Sequence, residues 1–277
     1  MVRWHKRLAV GCCIVLFSCM MNANNIQIVR DDPPLDPTLP AWVYSVALLK
    51  VYFSDGTYKE GYATLLKNGR YIASSETLYS NGLYPKMILA KMQDSSAKEL
   101  ICIASLHLEA MDRDQGLSLL KTADFRDDYC HKREESYYHA RIYTKYAQTF
   151  HSNPYTNQKT PNSDLYYPAL NEGNSFSIQT TDISVAELLK SKKFLLQTTD
   201  ISVAELLKSK KFLSLDSSFK KGSVLWGGRP YFSKVGEFMG MASSTLENQE
   251  SLVIIPKEKI VQFLSALKNQ NIFPNIP

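Results

Sequence analysis

The sequence lacks most of the markers that announce a chemistry. It has five histidines and five cysteines in 277 residues. His131, His139 and His151 stand at no spacing to cysteine or acid that would make a zinc site. There is no glycine-rich phosphate loop and no metal motif, so no cofactor is expected. Charge of one sign is also scarce. The formal balance is +5, but Arg3, Lys6 and Arg7 sit in a segment that reads as removable. Without them 29 basic residues face 27 acidic ones, which excludes the basic field of a nucleic-acid binder. The apolar run near the start, "LAVGCCIVLF", falls short of the roughly 20 residues a spanning helix needs.

What is present is the composition of a folded protein, 44% apolar and 21% charged. Residues 1–23 have the layout of an export signal: basic "MVRWHKR", the short apolar run, then polar "NANN". Two cleavage readings stand side by side. "LFSC" places Cys19 as the lipidated cysteine of a bacterial lipoprotein, and "MNA" places cleavage after Ala23. Both take the chain out of the cytoplasm, to the periplasm, the outer membrane or beyond. A lipid on Cys19 would then be its only hold on a membrane. In an oxidising compartment Cys102 and Cys130 are free to pair, or they stay as two buried thiols.

Residues 24–40 are polar and proline-rich and read as a linker. From residue 41 the texture is that of β-structure: "WVYSVALLKVYF", "YKEGYATLL", "KMILAKMQ", "ELICIASLHLE" and "GLSLLKT" are separated by "SDGT", "KNGR" and "SNGL" turns. Short strands at this spacing predict a barrel or sandwich. "SYYHARIYTKY" reads as a strand, and 145–173 as a loop. Residues 179–195, "QTTDISVAELLKSKKFL", recur without a substitution at 197–213. Each copy reads as a short helix, with Ser184 and Glu187, or Ser202 and Glu205, as a capping box. One copy packs and the other loops out or stacks beside it. More strands follow, and a final helix buries Ile260, Phe263, Leu264 and Leu267 on one face.

Four segments in order carry a family resemblance. "EGYATLLKNGRYIASSETL" resembles the strand and "T-N-x-H-V" of trypsin-like proteases of the HtrA/DegP branch. "DRDQGLSLLK" resembles their "D-x-x-x-D-I-A-L-I". "FLSLDSSFKKGSVLWGGRPYFSKVGEFMGM" resembles the nucleophile segment, and "LVIIPKEKIVQFLSAL" the closing strand and helix. The resemblance implies an all-β, two-barrel, chymotrypsin-type fold with a helical insertion and a C-terminal helix. Its domain would span 41–277, with a first barrel at 41–122 and a second at 123–277.

The same resemblance locates three catalytic positions. A serine triad needs a hydroxyl, an imidazole to take its proton and a carboxylate to hold the imidazole. Glu76 falls at the histidine position and Gly116 at the acid position. The nucleophile falls on Val224 counting from Gly222, on Gly227 counting back from Pro230, and on Trp226 when the glycine pair is the anchor. None of these is Ser, Cys or Thr. Ser74, Ser75, Ser223, Asp112 and Asp114 lie near without a base of suitable pKa. His107 reads as a packed strand residue. The expectation is a pseudoprotease, not an enzyme, serving as an envelope scaffold or protein-binding module. Resemblance to inactive HtrA-like proteins of flagellar motor disks suggests motor components as partners. An unorthodox hydrolase or chaperone, and a lipoprotein acting at a host surface, are the alternatives.

Overall fold

In a computed structural model, residues 39–94, 98–134, 143, 146–148, 164–184, 227–243 and 253–269 are described. All belong to one compact unit, Leu35–Pro277.

Residues Ala41–Ser45 form a 3-10 turn that delivers the chain into β1, Val46–Tyr52. There follow β2 (Tyr58–Leu66), β3 (Arg70–Ser74), β4 (Met87–Met92), β5 (Ile101–Asp112) and β6 (Leu117–Arg126). Their order is β3-β2-β1-β4-β5-β6, and β3 pairs with β6, which closes six antiparallel strands into a barrel. The two-residue β7 (Lys132–Arg133) adds to β6.

The turns work as their residues dictate. Asn68 and Gly69 take φ of 62° and 65°, the pair of positive values a tight primed hairpin needs, and Asn-Gly tolerates them best. That turn sets the β2–β3 register, Leu66 opposite Arg70.

The apolar run of β1 is explained by its two faces. Ala47, Leu49 and Val51 point into the barrel with Ala63, Ala73, Ala90, Tyr71 and Met92. Alanines recur there because six strands enclose a narrow interior. Val46 and Leu48 face out, with Tyr62, Ile72, Leu117 and Leu119, into a second core. Only Lys50 and Tyr52 emerge from burial.

The other side of that core comes from a five-stranded sheet, ordered β12-β11-β10-β8-β9. Its strands are β8 (Asp164–Leu170), β9 (Phe176–Ser184), β10 (Pro230–Phe232), β11 (Phe238–Ser243) and β12 (Val253–Pro256). Phe176, Phe232, Phe238, Met241 and Ile255 meet the barrel's outer face, and helix α1 (Lys257–Asn269) adds Ile260, Phe263, Leu264 and Leu267. Burying each such side chain contributes about 1.5–3 kcal/mol, so this shared layer binds the halves strongly.

The all-β expectation holds: a closed barrel, a second sheet and a C-terminal helix with the expected buried face. Four expectations need correction. The first sheet runs to Arg133, past the boundary at 122, because Phe125 and Arg126 continue β6 against β7. The loop expected over 145–173 includes strand β8, where Leu165 is fully buried and β-favouring tyrosines follow. Residues 179–184, expected as the start of a helical repeat, end β9. Two threonines and an isoleucine favour extended backbone there. In "SYYHARIYTKY" the described residues Tyr143 and Tyr146 are helical, not extended. Three positions apart, they share a face, and their rings meet Tyr71 and Tyr44. The rest of the duplication, and the export and linker segments up to residue 38, lie outside the described residues.

Candidate functional site

Where the barrel meets the second sheet, four chain segments converge. Strand β3 ends at Ser74 and bends at once, with the Leu78 N–H donating to the Ser75 carbonyl at 3.1 Å. The bend buries Ser74, Ser75, Thr77 and Leu78 and turns Glu76 out to solvent. The β5–β6 hairpin brings Gly116 in at φ 72°. Its carbonyl accepts the Ser75 N–H at 3.1 Å and the Ser243 hydroxyl at 2.7 Å. Ser243 is the last residue of β11. The loop entering β10 seats Gly227 and Gly228 directly on β2: the Tyr62 N–H donates to the Gly227 carbonyl at 2.7 Å.

This seating leaves no spare room. A Cβ on Gly228 would lie 1.9 Å from the Tyr62 carbonyl oxygen, and one on Gly227 would lie 2.6 Å from Thr77 Oγ1. A Cβ on Gly61, from the other side, would lie 2.5 Å from the same Thr77 oxygen. Gly228 also holds φ 82°. Thr77 is therefore the side chain packed between the barrel and the glycine pair. Glu76, expected at the histidine position, is exposed on this bend, and its neighbour Thr77 is the residue buried there.

The hydroxyls are ordered by their protons. A serine has one proton to give. Ser243 gives its proton to the Gly116 carbonyl, so in the 2.7 Å contact between the two hydroxyls Ser74 is the donor. Ser74 in turn accepts the Glu76 N–H at 3.3 Å. The chain of protons runs Ser74 to Ser243 to a backbone carbonyl. A nucleophilic serine must surrender its proton to a base, whereas this one's proton is directed to a second serine.

Glu76 belongs to a different contact. Lys59 Nζ donates to the carbonyls of Glu76 at 3.0 Å and Tyr79 at 2.7 Å. Burial lowers the Lys59 pKa, and the Glu76 carboxylate works against that shift. Of the acids near Gly116, Asp112 accepts from the Gln115 N–H at 2.9 Å and from its side-chain amide at 2.7 Å, bracing the turn, and Asp114 is exposed. His107 lies in β5 as expected, but it is exposed rather than packed. His131 is 75% exposed beside Asp127, 3.5 Å away. Val224, Trp226, Ser223, Cys19, His139 and His151 lie outside the described residues. Among the described residues no group of three His, Cys, Asp or Glu could hold a metal.

Two further features belong to the surrounding fold. Cys102 and Cys130 are joined by a disulfide, their Cα atoms 5.2 Å apart. It fastens buried β5 to a turn built on Asp127. Burial would raise the Asp127 pKa, but the N–H groups of His131 and Tyr129 and the Arg133 guanidinium outweigh it and hold the pKa below its ordinary value. Behind the glycine pair, buried Arg229 stands over the rings of Tyr62 and Tyr167, at 5.3 and 4.9 Å. Burial pushes the neighbouring Tyr231 hydroxyl up to about 12, with the Arg229 charge opposing.

Sequence reasoning missed Thr77 and Ser243. The signal for Thr77 was the apolar Leu78 beside it, which must point inward and takes the bend with it. For Ser243 it was a small hydroxyl closing the apolar run "FMGMAS".

No family model matches the chain, and neither does any curated protein. Solved structures give matches of low identity. One is Rv3671c from M. tuberculosis H37Rv, an inactive mutant form, with 10% identity over 85% of this chain and 96% of that one, TM-score 0.44. The serine endoprotease from Yersinia pestis shares 14% over 82% of this chain and 64% of its own, TM-score 0.46. The HtrA-type protease AlgW, a variant with a decapeptide, shares 10% over 82% and 64%, TM-score 0.43. At these values no residue's role passes from those proteins to this chain.

Proposed function

We propose that this chain is a protease-like domain without protease chemistry, acting as a scaffold or protein-binding module of the cell envelope. The observation that carries the reading is the destination of the Ser74 proton. At the junction where a triad would be assembled, hydroxyls bond to each other and to the Gly116 carbonyl. The residue packed against the glycine pair is a threonine. Such an arrangement commits the Ser74 proton to tying two sheets together, which supports the non-catalytic reading.

Binding then falls to surfaces, not to a reaction centre. The described order of the second sheet ends in β12 and β9, and an uncovered strand edge can take up an extended segment by main-chain pairing. The partner is an envelope protein. The narrower version makes the chain a structural component of a flagellar motor, and Cys19, lipidated, would hold it at a membrane.

The test has two arms. The purified mature chain is treated with a fluorophosphonate probe and offered unfolded peptides. Neither labelling nor turnover is expected, before or after Glu76→Ala. In-cell cross-linking of a tagged chain is expected to recover a constant set of envelope-machine components. A labelled serine, or a diffuse set of cleaved envelope proteins, would falsify the reading. Labelled palmitate lost on Cys19→Ala tests the anchor separately.

A further inference from the structure

Strand β9 has the sequence F-S-I-Q-T-T-D-I-S and pairs with β8 without a break from Phe176 to Thr181, a bulge then separating Thr181 from Ser184. Its last six residues open the first copy of the duplication. The chain reads F-L-L-Q-T-T-D-I-S at 194–202, so the likeness extends beyond the verbatim repeat into the residues before it. Phe194 stands where Phe176 does, and Leu195 and Leu196 replace Ser177 and Ile178.

What β8 needs from its neighbour can be stated residue by residue. Phe176, 4% exposed, enters the shared core, its ring 6.0 Å from that of Tyr62. Ile178 packs against the same core from a half-buried position. Thr181 is buried opposite Leu165. The main-chain ladder itself does not depend on side chains. Segment 194–202 offers the same phenylalanine, a leucine for the isoleucine, and Thr199 for Thr181. It gives up one bond, from the half-buried Ser177 hydroxyl to the Ala169 carbonyl at 3.2 Å. Register is held by the buried side chains, and the two buried residues of β9, Phe176 and Thr181, have identical counterparts in sequence at 194 and 199. Since β9 ends the described strand order, replacing it disturbs the ladder with β8 alone.

We propose that Phe176–Ser184 and 194–202 are interchangeable occupants of the one strand position beside β8. Within a chain the difference lies in the connection. The five-residue turn 171–175 is replaced by one eighteen residues longer, and loop-closure statistics favour the shorter by about tenfold. The second arrangement is then a minor but populated state. The same identity lets 194–202 of a second copy of this chain fill the position, an exchange of identical elements between protomers.

The test uses the full chain with one cross-strand pair, half-buried Tyr166 and exposed Thr180. Tyr166 pairs with Thr180, and Thr198 is the counterpart of Thr180 in the second copy. Cysteines are placed at 166 and 180, or at 166 and 198, and disulfides are mapped by mass spectrometry. Both pairs are expected to form, the second in about a tenth of the molecules, within one chain or between two. Adding Thr181→Pro, which breaks the first strand's ladder, is expected to raise the second cross-link severalfold while the chain stays folded. Two results overturn the proposal: no link between 166 and 198 with or without the proline, or unfolding on Thr181→Pro alone.

Discussion

Ser74 Oγ and Ser243 Oγ lie 2.7 Å apart although 169 residues separate them along the chain. The bond crosses from the barrel to the second sheet and is buried at both ends. Removing one partner leaves a buried polar group unmet, a cost of about 1–3 kcal/mol. Ser243→Ala also deprives the Gly116 carbonyl of a donor, so it is expected to cost more than Ser74→Ala. Denaturant unfolding of both single variants and the double is expected to show a coupling of at least about 0.5 kcal/mol. Strictly additive effects would refute the contact.

The close approach at Gly228 can be separated from its backbone conformation. Gly56 and Gly228 have nearly the same φ, 84° and 82°, but a Cβ at 56 meets nothing within 4 Å. Gly56→Ala is expected to cost about 1–2 kcal/mol from the left-handed backbone alone. Gly228→Ala is expected to cost more than about 4 kcal/mol, the range reached only by severe core disruption. Equal losses, read from thermal unfolding, would mean the loop is not seated on β2.

Glu76 is exposed on a turn, so Glu76→Ala is expected to stay within about 0.5 kcal/mol of the parent. Any accompanying change in reactivity toward a serine-directed probe would contradict the geometry.

Reducing the disulfide between Cys102 and Cys130 reopens a loop spanning a sequence separation of 28. The chain-entropy estimate for that length is about 3–4 kcal/mol. Alanine at both positions is expected to lower stability by that amount, measured by urea unfolding under non-reducing conditions. A loss below about 1 kcal/mol would indicate that the bond is not formed in solution.

Asp127 has its pKa depressed in the folded chain. A depressed carboxylate stabilises the fold above its unfolded value, near 3.9, and loses that contribution as pH falls through its lower folded value. The melting temperature of the parent should therefore exceed that of Asp127→Asn at neutral pH. The gap should close in the acid range below about pH 4. A gap that persists unchanged at the acid end would place its origin elsewhere.

The strands of the barrel were legible because each is short, alternating or doubly buried, and punctuated by Asn-Gly or Asp-Gly. Helix α1 was legible because Ile260, Phe263, Leu264 and Leu267 repeat at helical spacing. Residues 179–184 were misread because a capping box downstream drew the helix assignment back over β-branched residues that belong to the preceding strand. The site was half legible. Ser74 and Gly116 could be placed by order along the chain. Which of Glu76 and Thr77 faces inward depends on a single bend, and no periodicity encodes a bend. Ser243 was invisible because its partners, Ser74 and the Gly116 carbonyl, are remote in sequence.

The layer between the barrel and the second sheet has a consequence in time. Synthesis runs from the N-terminus at about 5–20 residues per second. Val46, Leu48, Tyr62, Ile72, Leu117 and Leu119 are finished well before Phe232, Phe238 and Ile255, which cover them. For several seconds the nascent barrel carries one greasy outer wall with nothing against it. Through that interval the wall must be kept from other chains, before the last helix exists to complete its cover.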